Sequence, residues 1–345
     1  MNMTELGLGE NDIAFPGIGI DKISIDNIAF TIGGVSIAWY GIIIAFGMIL
    51  AIIFGMSKMK KYGLDPDRAI DVIIGGVIGG VVGARIYYVA MNWSEYSKDI
   101  KSIFYTRNGG LAIYGGVIGA IIIGAIMCKI RKVKLLPLLD LAGMGFLIGQ
   151  GIGRWGNFVN QEAFGTNTDL PWGMTGGKIQ QWIILNSSSI SSPQSVIEMS
   201  AEKAVHPCFL YESIWCLIGF VILYLISRHR KYDGQIFLLY VFWYGLGRAF
   251  IEGLRTDSLM LGNIRVSQML AIISSAAALI LLFVIGSKVK RMGDDYVLYK
   301  NSEESKQLLI AAENDAKAAL EKKAEKKKKK MKKENTEDQT ENTDK

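Results

Sequence analysis

The sequence predicts an all-α, polytopic membrane protein with about seven transmembrane helices. Half of the 345 residues are hydrophobic, and the mean hydropathy is +0.27. Apolar runs of about twenty residues recur along the chain, which is the length that a helix needs to cross the hydrocarbon core of a bilayer. These observations together indicate a chain that folds within a membrane.

Seven apolar runs are the candidate spans. They cover about residues 33–56, 69–91, 110–130, 135–155, 208–227, 234–252 and 266–287. An odd number of spans places the two termini on opposite sides of the membrane. The connections rich in Lys and Arg share one side with the tail after Lys288, and such residues collect in the cytoplasm. We therefore expect the N-terminus outside and the C-terminus in the cytosol, and we expect no cleaved signal peptide.

Three regions follow from these spans. We expect residues 1–32 to form an extracytoplasmic N-terminal segment, 33–287 to form a seven-helix transmembrane domain, and 288–345 to form a basic, largely disordered cytosolic tail. The connection at about 156–206 is far longer than two adjacent helices need, so it should form a small outer head. Its serine-rich part at 187–192 is predicted to be a loop.

Much of the net charge of +6 comes from the tail, where residues 322–333 have the sequence KKAEKKKKKMKK. A charge concentrated in one tail argues against a nucleic-acid partner. It is more simply a topology signal and an attraction to anionic lipids. We expect partial helix at 302–333 and disorder beyond it.

Cysteine and histidine are too few to suggest a metal or disulfide centre. The chain has three Cys and two His, and we expect no metal and no cofactor. Glycine is more informative, because Gly75, Gly79 and Gly83 recur every fourth residue. This spacing permits close approach of two helices, so we assign these glycines a packing role.

Ionisable residues at membrane depth indicate a functional site. The outer halves of the spans carry Arg85, Arg154, Glu212, Arg248 and Glu252. A charge at mid-bilayer costs about 2.5–3.5 kcal/mol on insertion scales, so several on different spans predict a shared polar cavity. The set predicts more cationic groups than local acids, which suits an anionic ligand.

The sixth span shows how one face of this cavity is built. Its polar side chains follow one helical stripe, formed by Tyr244, Arg248, Glu252 and Arg255. Two interpretations of the stripe remain open at this point. Arg248 and Glu252 either pair only with each other, as buried charges normally do, or they also face a ligand.

Residues 153–165, GRWGNFVNQEAFG, form the most informative segment and are called the signature segment below. It sets Arg154, Asn157 and Glu162 among glycines that include Gly165. Glycines let the backbone approach a ligand closely, and a guanidinium can hold a phosphate through two parallel hydrogen bonds. The predicted ligand is an anionic lipid headgroup.

Three further segments carry polar or aromatic candidates near the outer ends of the spans. They contribute Tyr114 within RNGGLAIYGG at 107–116, His206 within HPCFLYE at 206–212, and Tyr40. Each has a simpler interpretation. The tyrosines are also typical of the aromatic belt at a membrane interface, and His206 is also typical of a helix start ahead of a proline.

The signature segment, these motifs and the polar stripe from Tyr244 to Arg255 resemble bacterial prolipoprotein diacylglyceryl transferases. They occur in the family's order, and the resemblance runs through about residues 30–286. The resemblance implies an enzyme of the bacterial cytoplasmic membrane with its active site toward the outer face. Its implied substrates are phosphatidylglycerol and preprolipoprotein signal peptides with a lipobox cysteine. The diacylglyceryl group passes to the cysteine thiol, which forms a thioether and releases glycerol phosphate.

The resemblance also implies roles for individual residues. Arg154 and Arg248 match the family's essential arginines, and Glu252 is expected to position Arg248. The substrate-binding set comprises Arg154, Asn157, Glu162, Gly165, Tyr40, Arg85, Tyr244, His206 and Glu212. Of these, Arg85 is included only because it is a charged residue at membrane depth, and not because of the resemblance.

One position departs from the family pattern. Many members carry a histidine where this chain has Tyr114, which we place with Arg154, Arg248 and Glu252 in the catalytic set. A phenol is a weak base at neutral pH unless nearby cations lower its pKa. His206 is therefore an alternative group for activating the thiol.

Two other classes of protein are alternatives. A transporter or lipid-binding membrane protein would also have glycine-rich helices and intramembrane charges, but it usually shows an internal repeat. The halves of this chain show no convincing similarity, and the charges gather toward one face. A structural scaffold would explain the spans but not the signature segment.

Overall fold

The computed structural model describes residues 7–105, 109–187, 194–262, 264–318 and 320–322. Positions 107 and 108 of the RNGG motif and most of the predicted loop at 187–192 lie outside these ranges. The tail beyond 322 also lies outside them, and with it the remainder of the helix predicted at 302–333 and the disorder predicted after it.

Long helices occupy all seven predicted runs. Their bounds are Trp39–Lys58 (α1), Pro66–Met91 (α2), Ile113–Arg131 (α4), Leu135–Asn160 (α5), Cys208–Ser227 (α8), Gln235–Glu252 (α9) and Val266–Met292 (α10). Three short helices are Trp93–Tyr96 (α3), Gly177–Ser187 (α6) and Gln194–Ile197 (α7), and a further helix covers 303–318 (α11). The chain is therefore mainly helical.

Six helices in the described residues are long and apolar enough to cross a membrane, namely those that begin at Trp39, Pro66, Ile113, Leu135, Cys208 and Val266. This finding supports a multi-pass membrane protein. α9 is not among the six, and its 18 residues include the charged Arg248 and Glu252. A helix that buries charges against neighbouring helices needs less overall hydropathy than one that faces lipid.

The prediction of an all-α chain is wrong for the N-terminal segment. The described residues contain seven short strands, Asp12–Phe15 (β1), Ile20–Ser24 (β2), Ile28–Ile32 (β3), Val35–Ala38 (β4), Thr175–Gly176 (β5), Met260–Leu261 (β6) and Ile264–Arg265 (β7). β3 and β4 pair through Ile32 and Val35 around Gly33 and Gly34, whose φ angles are both positive. This geometry is that of a two-residue hairpin, and the hairpin delays the start of α1 to Trp39.

The chain forms two compact units, and the first comprises residues 1–57 and 139–296. In it β1 pairs antiparallel with both β2 and β5, so the N-terminal segment joins the 161–207 region. The two share one apolar core formed by Ile13, Phe15, Phe164, Met174, Ile179, Ile183, Met199, Val205 and Phe209. Phe164 belongs to the signature segment, so this core holds the C-terminal end of that segment.

A reciprocal tryptophan contact joins α8 to α9. The Nε1 of Trp215 donates to the carbonyl of Trp243 at 2.9 Å, and the Nε1 of Trp243 donates to the carbonyl of Trp215 at 3.0 Å. The two rings stack with centroids 4.4 Å apart. Gly247 leaves room for one indole, because a Cβ there would lie 2.6 Å from Cε2 of Trp215. The contact fixes the register of the two helices that carry Glu212 and Arg248.

Gly247→Val should therefore destabilise the protein. Overfilling a packed interior typically costs about 1–3 kcal/mol, so we expect the midpoint of thermal unfolding in nanodiscs to fall by several degrees. Gly124→Val is the matched control, because a Cβ at Gly124 in α4 would meet nothing within 4 Å. Equal midpoints for the two variants would contradict this account of the α8–α9 contact.

The second unit comprises residues 58–138 and 297–345, and its described part is built on α2 and α4. The predicted packing role of the glycines is confirmed here. A Cβ at Gly79 would lie 2.8 Å from the carbonyl oxygen of Gly119, and a Cβ at Gly83 would lie 2.8 Å from the Cα of Gly119. The two helices therefore pack with their backbones in direct contact.

Candidate functional site

Three arginines of the first unit converge on one buried carboxylate. Glu212 lies one turn into α8, and its side chain is 4% exposed. Its Oε2 is 2.8 Å from a guanidinium nitrogen of Arg154. Its Oε1 is 2.8 Å from Arg248 and 3.2 Å from Arg255. Glu212 therefore holds together arginines from α5, from α9 and from the turn after α9.

Two further carboxylates complete what we call the charge cluster. Glu252 is 1% exposed, and its Oε2 lies 2.5 Å from Arg248 and 3.9 Å from Arg255. Asp257 accepts hydrogen bonds from Nε and a terminal nitrogen of Arg255 at 3.0 and 2.8 Å. The cluster consists of Arg154, Glu212, Arg248, Glu252, Arg255 and Asp257.

The predicted excess of cationic groups is wrong for this cluster, which has three arginines and three carboxylates. Asp257 was not predicted, because it lies beyond the end of the helical stripe. The interpretation that pairs Arg248 only with Glu252 is also wrong, since Arg248 contacts Glu212 as well. Arg154 and Arg248 remain the more accessible arginines, with side chains 20% and 17% exposed against 10% for Arg255. Of the three arginines, these two therefore have the side chains that are more open to a ligand.

The signature segment supplies the neighbours of Arg154. A terminal nitrogen of Arg154 donates to Oδ1 of Asn157 at 3.2 Å, and the amide nitrogen of Asn157 donates to Glu162 at 2.8 Å. The three side chains form a relay of hydrogen bonds across the end of α5. The chain then turns sharply, because Gln161 and Ala163 both have positive φ.

Gly165 joins the signature segment to the residues after α9. Its amide donates to the carbonyl of His206 at 2.9 Å, and it forms a β-bridge with Arg255. A Cβ at this position would lie 2.8 Å from the Cβ of His206 and 3.0 Å from the carbonyl oxygen of Leu254. The close backbone contacts explain why a glycine is needed next to the charge cluster.

Two predicted tyrosines also belong to this unit. The ring of Tyr40, at the start of α1, packs against α5, where a Cβ at Gly156 would lie 2.7 Å from its Cδ2. Tyr244 lies one turn before Arg248 on α9, and its ring stacks on Tyr240 at 5.9 Å. Tyr40 is 38% exposed and is therefore open to a ligand.

His206 lies in the head, beside Tyr211. Its Nδ1 is 3.2 Å from the hydroxyl of Tyr211, which also accepts from the indole of Trp172 at 2.9 Å. Burial lowers the pKa of the imidazole below its usual range, which favours the neutral form of His206. Its backbone contact with Gly165 supports the turn that holds the signature segment.

Arg85 and Tyr114 belong to the second unit. The Arg85 side chain donates to the backbone carbonyls of Ser102, Ile103, Tyr105, Gly109 and Gly110 at 2.7–3.4 Å. This guanidinium therefore holds residues 102–105 and 109–110, which precede α4, through their backbone carbonyls. Tyr114 is the second residue of α4 and is 37% exposed.

Arg255 and Asp257 are the residues of the cluster that the predicted site set omitted. Arg255 lies on the predicted polar stripe, three residues after Glu252, and this spacing was the available signal. Asp257 has no such periodic signal, because it enters the cluster through the turn that Gly165 and Thr256 fix. The amide of Thr256 donates to the carbonyl of Phe164 at 3.3 Å.

Paired guanidiniums at a partly accessible site are suited to hold a phosphate. Each guanidinium can present two parallel donors, and the surrounding carboxylates hold both in place before a ligand arrives. The same groups can stabilise negative charge that develops on a leaving oxygen.

Comparison with known proteins bears directly on this chemistry. The family model described as prolipoprotein diacylglyceryl transferase matches residues 27–284. A phosphatidylglycerol–prolipoprotein diacylglyceryl transferase of Clostridioides difficile is 40% identical over 266 residues, which is 77% of this chain and 98% of the relative. A transferase of the same name from Limosilactobacillus reuteri is 42% identical over 266 residues, 76% of this chain and 92% of the relative. The chain belongs to the prolipoprotein diacylglyceryl transferase family.

Proposed function

We propose that this chain transfers the diacylglyceryl group of phosphatidylglycerol to the lipobox cysteine of preprolipoproteins, the first step of bacterial lipoprotein maturation. One structural observation carries the proposal. Arg154 and Arg248 are held 2.8 Å from opposite oxygens of Glu212 and remain partly exposed. This arrangement suits the phosphate of an anionic lipid. The family membership supports the same activity.

The reaction requires one bond to form and one to break. The cysteine sulfur attacks the glyceryl carbon that carries the phosphate, so that a carbon–sulfur bond forms as the carbon–oxygen bond breaks. The thiol proton leaves to a base, and the bonding electrons leave with glycerol phosphate. We assign Arg154 and Arg248 to the phosphate, where they stabilise the charge on the departing oxygen.

The other residues of the first unit orient these arginines and the headgroup. Glu212 and Glu252 fix the guanidinium planes, and Asn157 and Glu162 extend the hydrogen-bond relay from Arg154. Tyr40 and Tyr244 are proposed contacts of the lipid. Gly165 contributes through its backbone.

Tyr114 and Arg85 are proposed to have different roles, and each role rests on a different observation. Tyr114 remains a proposed catalytic residue because of its sequence motif. Arg85 was predicted to bind substrate, and its five backbone acceptors favour a positioning role for the loop ahead of Tyr114.

The membrane arrangement is part of the proposal. Seven helices cross the bacterial cytoplasmic membrane, with α9 as the span that completes the six apolar ones. The N-terminus and the head lie outside, the tail is cytosolic, and the active site faces outward. The distribution of Lys and Arg among the short connections supports this orientation.

The test is a transfer assay with purified protein, labelled phosphatidylglycerol and a membrane-anchored lipobox peptide. We expect label on the cysteine peptide, none on a peptide with serine in its place, and none with the Arg154→Ala variant. Lipid that binds without transfer would overturn the transferase proposal and favour a lipid-binding or transport protein.

His206→Ala should retain more than a tenth of wild-type activity. The imidazole contacts Tyr211 in the head, so its loss should perturb packing more than chemistry. Initial rates across pH 6–9 provide the measurement, and Lys203→Ala is an exposed control in the same region. Complete loss of activity would instead place His206 in the catalytic set.

A further inference from the structure

The last turn of α9 departs from regular α-helical hydrogen bonding. The amide of Gly253 donates to the carbonyl of Phe250 at 3.2 Å, and the amide of Leu254 donates to the carbonyl of Ile251 at 3.0 Å. These bonds span three residues instead of four, which is a common tightening at the end of a helix. In a regular α-helix the Gly253 amide would bond the carbonyl of Ala249. The tightening therefore frees the Ala249 carbonyl for another donor.

Two side chains at the start of α10 bond carbonyls of this turn. The Nε2 of Gln268 donates to the carbonyl of Ala249 at 2.8 Å. A terminal nitrogen of Arg265, the residue before α10, donates to the carbonyl of Glu252 at 2.6 Å. The last carbonyls of a helix need partners from outside it, and a cation there also complements the helix dipole. The start of α10 therefore caps the end of α9.

The cap is held in place by its own surroundings. β7 pairs antiparallel with β6 through Arg265 and Met260, which fixes the backbone of Arg265. Farther along the two helices, a Cβ at Gly245 of α9 would lie 2.8 Å from the carbonyl oxygen of Ala271 in α10. The helices therefore pack closely, and this packing fixes the position of the first turn of α10 beside α9.

The capped turn carries side chains of the charge cluster. Glu252 is 1% exposed, and its side chain lies 2.5 Å from Arg248 and 3.9 Å from Arg255. The main chain of Glu252 is thus held by Arg265 while its side chain holds Arg248. A turn without its cap would fray or return to α-helical bonding, and either change would move the carboxylate that orients the Arg248 guanidinium.

We propose that Gln268 and Arg265 are positioning residues for the transfer reaction, because their cap on α9 sets where Arg248 presents its guanidinium. The inference rests on the proposed assignment of Arg248 to the lipid phosphate. A displacement of about 1 Å caused far from the chemistry can lower a rate by about 100-fold. The cap can therefore control the rate without touching the substrate. Arg154 still binds the headgroup in its absence, so the loss should fall on kcat more than on KM.

The first test removes each donor from the full chain in nanodiscs that contain phosphatidylglycerol. In Gln268→Met and in Arg265→Met we expect kcat per folded enzyme to fall at least tenfold, while the KM for phosphatidylglycerol stays within threefold. The folded fraction is taken from the thermal unfolding transition. Arg291→Met is the matched control, because Arg291 is an exposed cation in the last turn of α10. This variant should keep the wild-type kcat.

A second test distinguishes positioning from contact with the lipid. Arg265→Lys keeps a donor for the Glu252 carbonyl, so we expect at least half of the wild-type kcat. A phosphate contact would need the guanidinium fork, and lysine should then fail as we expect it to fail at Arg248. Gln268→Met combined with Arg248→Lys should cost less than the product of the single losses, because both changes act through one guanidinium.

Three results would overturn the inference. A wild-type kcat in both methionine variants would show that the cap does not position Arg248. A raised KM with unchanged kcat, or an Arg265→Lys variant as slow as Arg265→Met, would make these side chains contacts of the lipid. Losses that multiply in the double variant would mean that the cap acts independently of Arg248. Absence of transfer by the wild-type protein is a separate result, which would contradict the proposed function itself.

Discussion

Replacing Arg154 or Arg248 with lysine should lower kcat by about 100- to 1000-fold, and we expect the protein to remain folded. Each arginine lies 2.8 Å from Glu212 and keeps part of its side chain accessible. Lysine preserves the charge but cannot offer two parallel donors to a carboxylate and a phosphate. The loss should therefore fall on the step in which the phosphate departs. Single-turnover transfer to a lipobox peptide measures that step directly.

Arg228→Lys is the matched control for these variants. Arg228 follows α8 at the end opposite to Glu212, and its guanidinium lies 5.1 Å from the centroid of the Tyr224 ring. We expect this variant to keep its transfer rate. A wild-type kcat in Arg154→Lys or Arg248→Lys would contradict the assignment of that arginine to the leaving phosphate.

The sequence predicted the helical part of the fold well because long apolar runs carry a strong signal. The ends of α8 at Cys208 and Ser227 coincide with the prediction, and α9 begins within one residue of it. The cluster around Arg154, Glu212 and Arg248 could also be predicted from the sequence, because charges at membrane depth need partners on neighbouring helices.

Tertiary partners explain what the sequence could not predict. β1 is only four residues long, and its role depends on pairing with β5 more than 150 residues later. Charge at membrane depth alone does not distinguish Arg85, which donates to backbone carbonyls, from Arg154, which pairs with Glu212. The charge balance likewise depended on Asp257, which a turn brings to Arg255.

Glu212→Gln should produce the second large effect, because one change removes the partner of three arginines. The substitution keeps the size of the side chain but leaves three guanidiniums with two carboxylates. Breaking a buried ion pair by removing one partner typically costs about 3–5 kcal/mol. We therefore expect a lower midpoint of thermal unfolding together with at least a 100-fold loss of kcat, comparable to the loss of an arginine. Glu202→Gln, at an exposed position of the head, should change neither quantity.

A double-mutant cycle tests whether Glu212 acts through the arginines. If the carboxylate serves only to orient the guanidiniums, combining Glu212→Gln with Arg154→Lys should cost much less activity than the product of the two single losses, as for residues that act as a unit. Losses that multiply would mean that Glu212 contributes to the reaction independently of Arg154, for instance as the group that accepts the thiol proton. The unfolding midpoints of the same four proteins separate this result from a simple loss of folding, because a stability effect alone would lower the active fraction without changing kcat per folded enzyme.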